Sequence, residues 1–191
     1  MTLVAPQARS HFTPDDLLNL EDERLYELVD GRLVEKQMSS LASETAGIIG
    51  GCLFIFLRES RAGKLYPEQT FRCFPDDPDL VRRPDVAFIA ADRLGAVPEE
   101  GHIPIAPDLA IEVVSPNDKI YELDEKLANY RTASVKLVWV VNPKMRTLRI
   151  HRLDRTVTQL EETDTLSGEG VLPGFSILVK DLLPPPAAVV A

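Results

Sequence analysis

The chain is built from short apolar blocks separated by turn-forming residues, and the blocks predict strands and helices in alternation. Residues 1–12 show no period and read as a loose N-terminal arm. Thr13-Pro14-Asp15-Asp16 predicts a helix start, with Thr as N-cap, Pro in the first turn and acids at the positive helix end. That helix is expected to run to about Leu20. Tyr26–Val29 and Arg32–Glu35 flank Asp30-Gly31, the dipeptide that suits a two-residue hairpin turn with both central residues at positive φ. Ser40 is placed to cap a long helix from Leu41 to about Glu59, with Ile48, Leu53, Phe56 and Leu57 near helical spacing. Gly47, Gly50 and Gly51 weaken this helix and read as points of close packing against a sheet or neighbouring helix.

Farther along, the pattern turns to strands. Lys64–Phe74, Pro84–Ala90 and Asp108–Val114 are the first three. Asp118–Thr132 follows as a helix whose core stripe is Ile120, Leu123, Leu127 and Tyr130. Lys136–Val141 and Leu148–Arg152 then read as a hairpin around Asn142-Pro143-Lys144. Leu109–Val114 and Leu137–Val141 are nearly all apolar, as strands covered on both faces are. A strand, a helix and another such strand predict a crossover joining parallel neighbours. The expectation is one α/β domain of mixed α+β character over residues 13–183, with a Pro/Ala-rich tail at 184–191 and no internal repeat.

Composition changes this picture in a few places. With 191 residues, 45% hydrophobic and 27% charged, the chain has enough apolar material for one core. No uninterrupted apolar run reaches the ~18 residues of a membrane helix. The N-terminal residues lack an apolar signal region, so no membrane association and a cytoplasmic location are expected. Cys52 and Cys73 lie apart without C-x-x-C spacing, and His11, His102 and His151 are scattered, which argues against a zinc site and leaves both cysteines as small apolar filler. There is no Gly-x-Gly-x-x-Gly pattern for a dinucleotide. Ser115 lies in Val-Ser-Pro, without the Gly-x-Ser-x-Gly elbow of a serine hydrolase. Aromatic residues make up only 6%, which speaks against a sugar-hydrolase platform. The net charge of −9 rules out binding a polyanion through the global field, so any nucleic acid must be met by a local basic patch or a metal.

The informative residues are acids that interrupt apolar strands. Glu112 lies inside Leu109–Val114, where a lone carboxylate requires a partner, a proton or a metal. Asp85 follows Pro84 at a strand start. If their strands are neighbours in register, the two carboxylates converge at one sheet edge and offer oxygen ligands to Mg²⁺, which keeps several waters. Lys126 borders the core stripe of the following helix and could reach that edge. Structural alternatives stand beside this. Glu122 and Lys126 form a favourable i,i+4 pair, and Glu112 could instead pair with Arg82 or Arg83.

At these same residues the chain resembles the Uma-two family of putative restriction endonucleases. The resemblance is carried by Tyr26–Gly31, Arg83-Pro84-Asp85-Val86, Pro107–Pro116, Lys126, Tyr130, Val135 and Leu137–Pro143, and it spans roughly residues 13 to 183. That family belongs to the PD-(D/E)XK nuclease superfamily. The resemblance implies a restriction-endonuclease-like core with a mixed central sheet flanked by helices, a divalent metal (Mg²⁺ or Mn²⁺) and hydrolysis of phosphodiester bonds. It makes Asp85 the metal-binding aspartate and Glu112 the second acid. The superfamily places a lysine two residues after that acid, where this chain has Val114, so Lys126 would supply the cation instead. Glu44 on the long helix and Glu68 in a strand are candidates for a further acid.

Two functions from different classes follow. One is a metal-dependent endonuclease acting on DNA through Asp85, Glu112 and Lys126, with Arg72, Arg82, Arg83 and Arg131 as candidate backbone contacts and a homodimer as the form that would cut two strands. The other is a non-catalytic nucleic-acid- or protein-binding module that keeps the fold, a reading the acidic balance favours.

Overall fold

A computed structural model describes residues 11–23, 26–36 and 38–186. Most of the expected arm, residues 1–10, and the end of the tail, residues 187–191, lie outside the described residues. At the described margins, Phe12 donates its N–H to the Gly31 carbonyl and packs beside Leu17, while Pro184 is buried.

Helix α1 (Pro14–Leu18) starts as expected: Thr13 and Asp16 exchange side-chain-to-backbone hydrogen bonds in a capping box. Strands β1 (Tyr26–Val29) and β2 (Arg32–Glu35) form the hairpin, with Asp30 at φ 49° and Gly31 at φ 70° in its turn. Helix α2 (Ser40–Ser60) is capped by Ser39, one residue earlier than the sequence predicted. Strand β3 (Gly63–Pro67), β4 (Val86–Ala90), β5 (Leu109–Val113), helix α3 (Ile120–Thr132), β6 (Leu137–Asn142), β7 (Thr147–Arg152) and β8 (Val157–Glu161) follow. A small pair, β9 (Thr165–Ser167) with β10 (Ser176–Leu178), comes last.

The central sheet has six strands in the order β3-β4-β5-β6-β7-β8. Only β5 and β6 run parallel, and α3 is the crossover between them. The expected mixed sheet flanked by helices is therefore what the chain forms. Alternation along β4 and β5 divides the core. Val86, Phe88, Leu109 and Ile111 face α2, whose Ala42, Ile49, Leu53 and Leu57 lie on them. Ala110, with Val138 and Val140 of β6, faces α3 and its Tyr130, Leu123 and Leu127.

Three expectations need correction. The strand expected at Lys64–Phe74 ends at Pro67, because Glu68 turns into the left-handed region at φ 53°. The chain resumes pairing only at single bridges of Phe71 with Arg82 and with Ile103. The three α2 glycines do not mark close packing within the chain, since a Cβ on any of them would meet nothing within 4 Å. Ile120, placed in the core stripe of α3, is 70% exposed at that helix's first turn. By length and composition α2 is long and apolar enough to cross a bilayer, yet one of its faces is built into the core.

Candidate active site

Pairing of β4 with β5 sets Val86 opposite Ile111, so one step outward Asp85 stands opposite Glu112 on the face toward α3. Pairing of β3 with β4 sets Pro67 opposite Val86, which carries Glu68 to the same row beside Asp85. The turn at Glu68 is held there by its N–H, which donates to the Asp85 carbonyl at 3.1 Å. Three acids thus lie in a line across three strand ends.

Asp85 is 3% exposed and Glu112 6% exposed, a depth at which bare carboxylates are costly. Each is met by a lysine. Lys36, just after β2, brings its Nζ to 2.6 Å from Asp85 Oδ1 and donates to both Glu68 oxygens at 3.1 Å and to the Arg83 carbonyl at 2.9 Å. The second Asp85 oxygen accepts the Val113 N–H at 2.5 Å. Lys126 extends from α3 and donates to Glu112 Oε2 at 3.2 Å, with Glu27 Oε1 at 3.1 Å on its other side. The Tyr130 hydroxyl donates to the remaining Glu112 oxygen at 2.5 Å.

Around this lies a supporting layer. Glu27 of β1 also accepts the Arg83 N–H at 2.7 Å and faces Arg82 Nη1 at 3.2 Å. Arg82 reaches Glu125 and Asn129 of α3, so it ties the hairpin and helix to the sheet. Arg83 donates to the carbonyls of Glu23 and Glu68. Four carboxylates, Glu27, Glu68, Asp85 and Glu112, are therefore set among four cations, Lys36, Lys126, Arg82 and Arg83. Side chains around the pair open onto a cavity of about 230 Å³ that Lys36, Ser115, Asp118 and Lys126 also line.

Protonation follows from these contacts. Burial, helped by the Asp85 charge, pushes Glu112 up to about 7 against the pull of Lys126. Burial also acts on Glu27, but Lys126, Arg82 and the Arg83 N–H outweigh it and hold that carboxyl at about 2. Burial would lower both lysines, yet the surrounding carboxylates raise them, Glu112 and Glu27 for Lys126 and Asp85 first for Lys36. Both ammonium groups are therefore fixed charges rather than proton acceptors.

Of the residues singled out in the sequence, Asp85, Glu112, Lys126 and Glu68 come together. Glu44 does not; it is exposed on α2. The proposed Glu122–Lys126 pair is not formed, because Glu122 pairs with Lys119 and Lys126 turns inward. Glu112 is met by Lys126, and Arg82 pairs with Glu27 instead. Arg82 and Arg83 are buried, which removes these two from the set of candidate backbone contacts, whereas Arg72 is exposed and carries a surface pair with Asp79. Val114, at the superfamily's usual lysine position, packs beside the α3 core cluster. Lys36 was not anticipated from sequence; its one signal is its place at the end of the hairpin motif.

Among the described residues, no three His, Cys, Asp or Glu side chains are gathered into a cage for a metal ion. The donor chemistry nonetheless fits a hard divalent cation: carboxylate oxygens face each other across adjacent strands.

A mixed sheet with paired strand-end carboxylates and a lysine from the crossover helix defines a nuclease-like domain of the restriction-endonuclease type. The chain belongs to the Uma2 family, described as "putative restriction endonuclease", whose model matches residues 14–180. Among solved structures it is similar to a "putative nuclease belonging to DUF820" from Anabaena variabilis, at 20% identity and a TM-score of 0.74, with 90% of this chain and 97% of that chain covered. A DrdV–DNA complex overlaps 75% of this chain and 14% of its own at 15% identity, with a TM-score of 0.38, too low to carry an argument. No curated protein matches the chain.

Proposed function

We propose that the chain is a Mg²⁺- or Mn²⁺-dependent endonuclease that hydrolyses phosphodiester bonds in DNA. The observation that carries this reading is the placement of Asp85 opposite Glu112, each held by its own lysine, in the lining of a cavity. Asp85 and Glu112 would hold the cation, with the rest of its oxygen ligands coming from backbone or water. When bound, such a cation supplies charge neutralisation at the phosphate and activation of a water. Lys126 stays protonated beside Glu112, so its part is to orient the attacking water and to stabilise charge on the phosphate, not to accept a proton. Tyr130 fixes the Glu112 carboxyl in its rotamer. A homodimer would bring one such centre to each strand of a duplex.

The net charge of −9 favours a second reading, a binding module that retains the fold without catalysis. Plasmid cleavage separates the two. The nuclease reading expects cleavage with Mg²⁺ or Mn²⁺, its loss with chelator, and a fall of at least about 10²-fold in Asp85→Asn and in Glu112→Gln. Metal-independent cutting, or cutting that both variants retain, contradicts it. Shift of the same DNA without cutting supports the module.

A further inference from the structure

Helix α2 turns one face to the core and leaves an organised face outward. Glu44, Gly47, Ile48, Gly51, Phe54, Ile55 and Arg58 recur at the three- and four-residue spacing of a single helical stripe. Phe54 is 59% exposed and Ile55 65% exposed, and Ile48 is half-buried between the two faces. Gly47 and Gly51 lie between them with open space above. Each glycine costs a helix interior about 1 kcal/mol relative to alanine, and nothing within the chain uses the room it leaves. Glu44 and Arg58 end the stripe, and neither has an ion-pair or hydrogen-bond partner among the described residues.

The stripe is self-complementary. If a second copy lies antiparallel with a twofold axis at Gly51, residues on the same flank of the stripe meet at nearly the same height. Gly47 then faces Phe54, Ile48 faces Ile55 and Glu44 faces Arg58 of the other copy. Each large side chain meets a glycine or an apolar partner, and each end charge meets its opposite, twice by symmetry. The glycines let the two backbones approach at the crossing point. We propose that this face of α2 is the homodimer interface of the protein, formed by antiparallel pairing of two α2 helices about Gly51. The charge pattern selects a second copy over a bilayer, which would leave Glu44 and Arg58 unpaired.

From Glu44 to Arg58 the stripe is about 21 Å long at ~1.5 Å per residue, so the interface is at the small end of the scale for specific pairs. The test is sedimentation equilibrium, which reads oligomeric state without substrate and is independent of the nuclease reading. The wild type should pass from one to two chain masses across roughly 1–100 µM, as suits a small interface. Gly51→Leu should stay at one mass throughout while keeping its helical circular dichroism. Glu44→Arg should weaken pairing by about tenfold, through two like-charge contacts, and Glu44→Arg with Arg58→Glu should restore it. A wild type at one mass over the whole range overturns the proposal, as does a dimer that Gly51→Leu leaves intact. A double charge swap that fails to restore pairing overturns the register. Binding of a monomeric wild type to phosphatidylcholine vesicles, lost in Phe54→Ser, overturns the choice of a second copy.

Discussion

At the scale of single residues, the site is a problem of buried charge. Lys126 is the shared counter-ion of Glu112 and Glu27. Lys126→Met is expected to destabilise the fold by about 3–5 kcal/mol in urea unfolding, because it leaves two buried carboxylates without their cation. An effect under about 1 kcal/mol would show that Lys126 is not their main partner. Glu27 sets an acid limit. Its folded pKa of about 2 lies below the ordinary value of 4.5, so its stabilisation is complete above 4.5 and is lost as pH falls from there toward 2. Melting curves between pH 6 and pH 3 should fall more steeply for wild type than for Glu27→Gln; parallel curves would remove Glu27 from this role. Asp85 and Glu112 were legible as candidate ligands because acids inside apolar runs need an explanation. Lys36 and the inward turn of Lys126 were not, because long flexible side chains take their direction from partners that only the assembled fold supplies.

At the scale of elements, local chemistry was the readable part. The Thr13 capping box, the Asp30-Gly31 turn and the crossover through α3 each rest on residues adjacent in sequence, and each formed where expected. Strand β8 was missed because it is an edge strand with four exposed positions and no apolar alternation to mark it. The end of β3 was missed because a left-handed residue at Glu68 carries no glycine to announce it. That kink carries the third acid to the site, so the shortened strand and the placement of Glu68 share one cause. Edge strand β3 also depends on Gly63, where a Cβ would stand 2.1 Å from the Ile89 carbonyl oxygen and 2.6 Å from the Phe88 ring. Gly63→Ala is expected to cost about 1–3 kcal/mol in denaturant unfolding, since backbone must move to admit it. A neutral result would mean that β3 can slide along β4 without loss.

At the scale of the whole molecule, hairpin, sheet and crossover helix meet at one point, and Arg82 joins all three through Glu27, Glu125 and Asn129. This gives an acidic chain a charge-balanced interior site. Family membership and the mixed sheet make the chain nuclease-like; a metal held by Asp85 and Glu112 is the claim on which the proposed chemistry depends. The most direct test is calorimetric titration of Mg²⁺ and Mn²⁺ into wild type, Asp85→Asn and Glu112→Gln, with circular dichroism to confirm that all three are folded. The account predicts one site in the wild type and at least about tenfold weaker binding in each variant. Metal binding that survives both substitutions, or no binding in the folded wild type, would contradict it and leave Glu112 a structural acid.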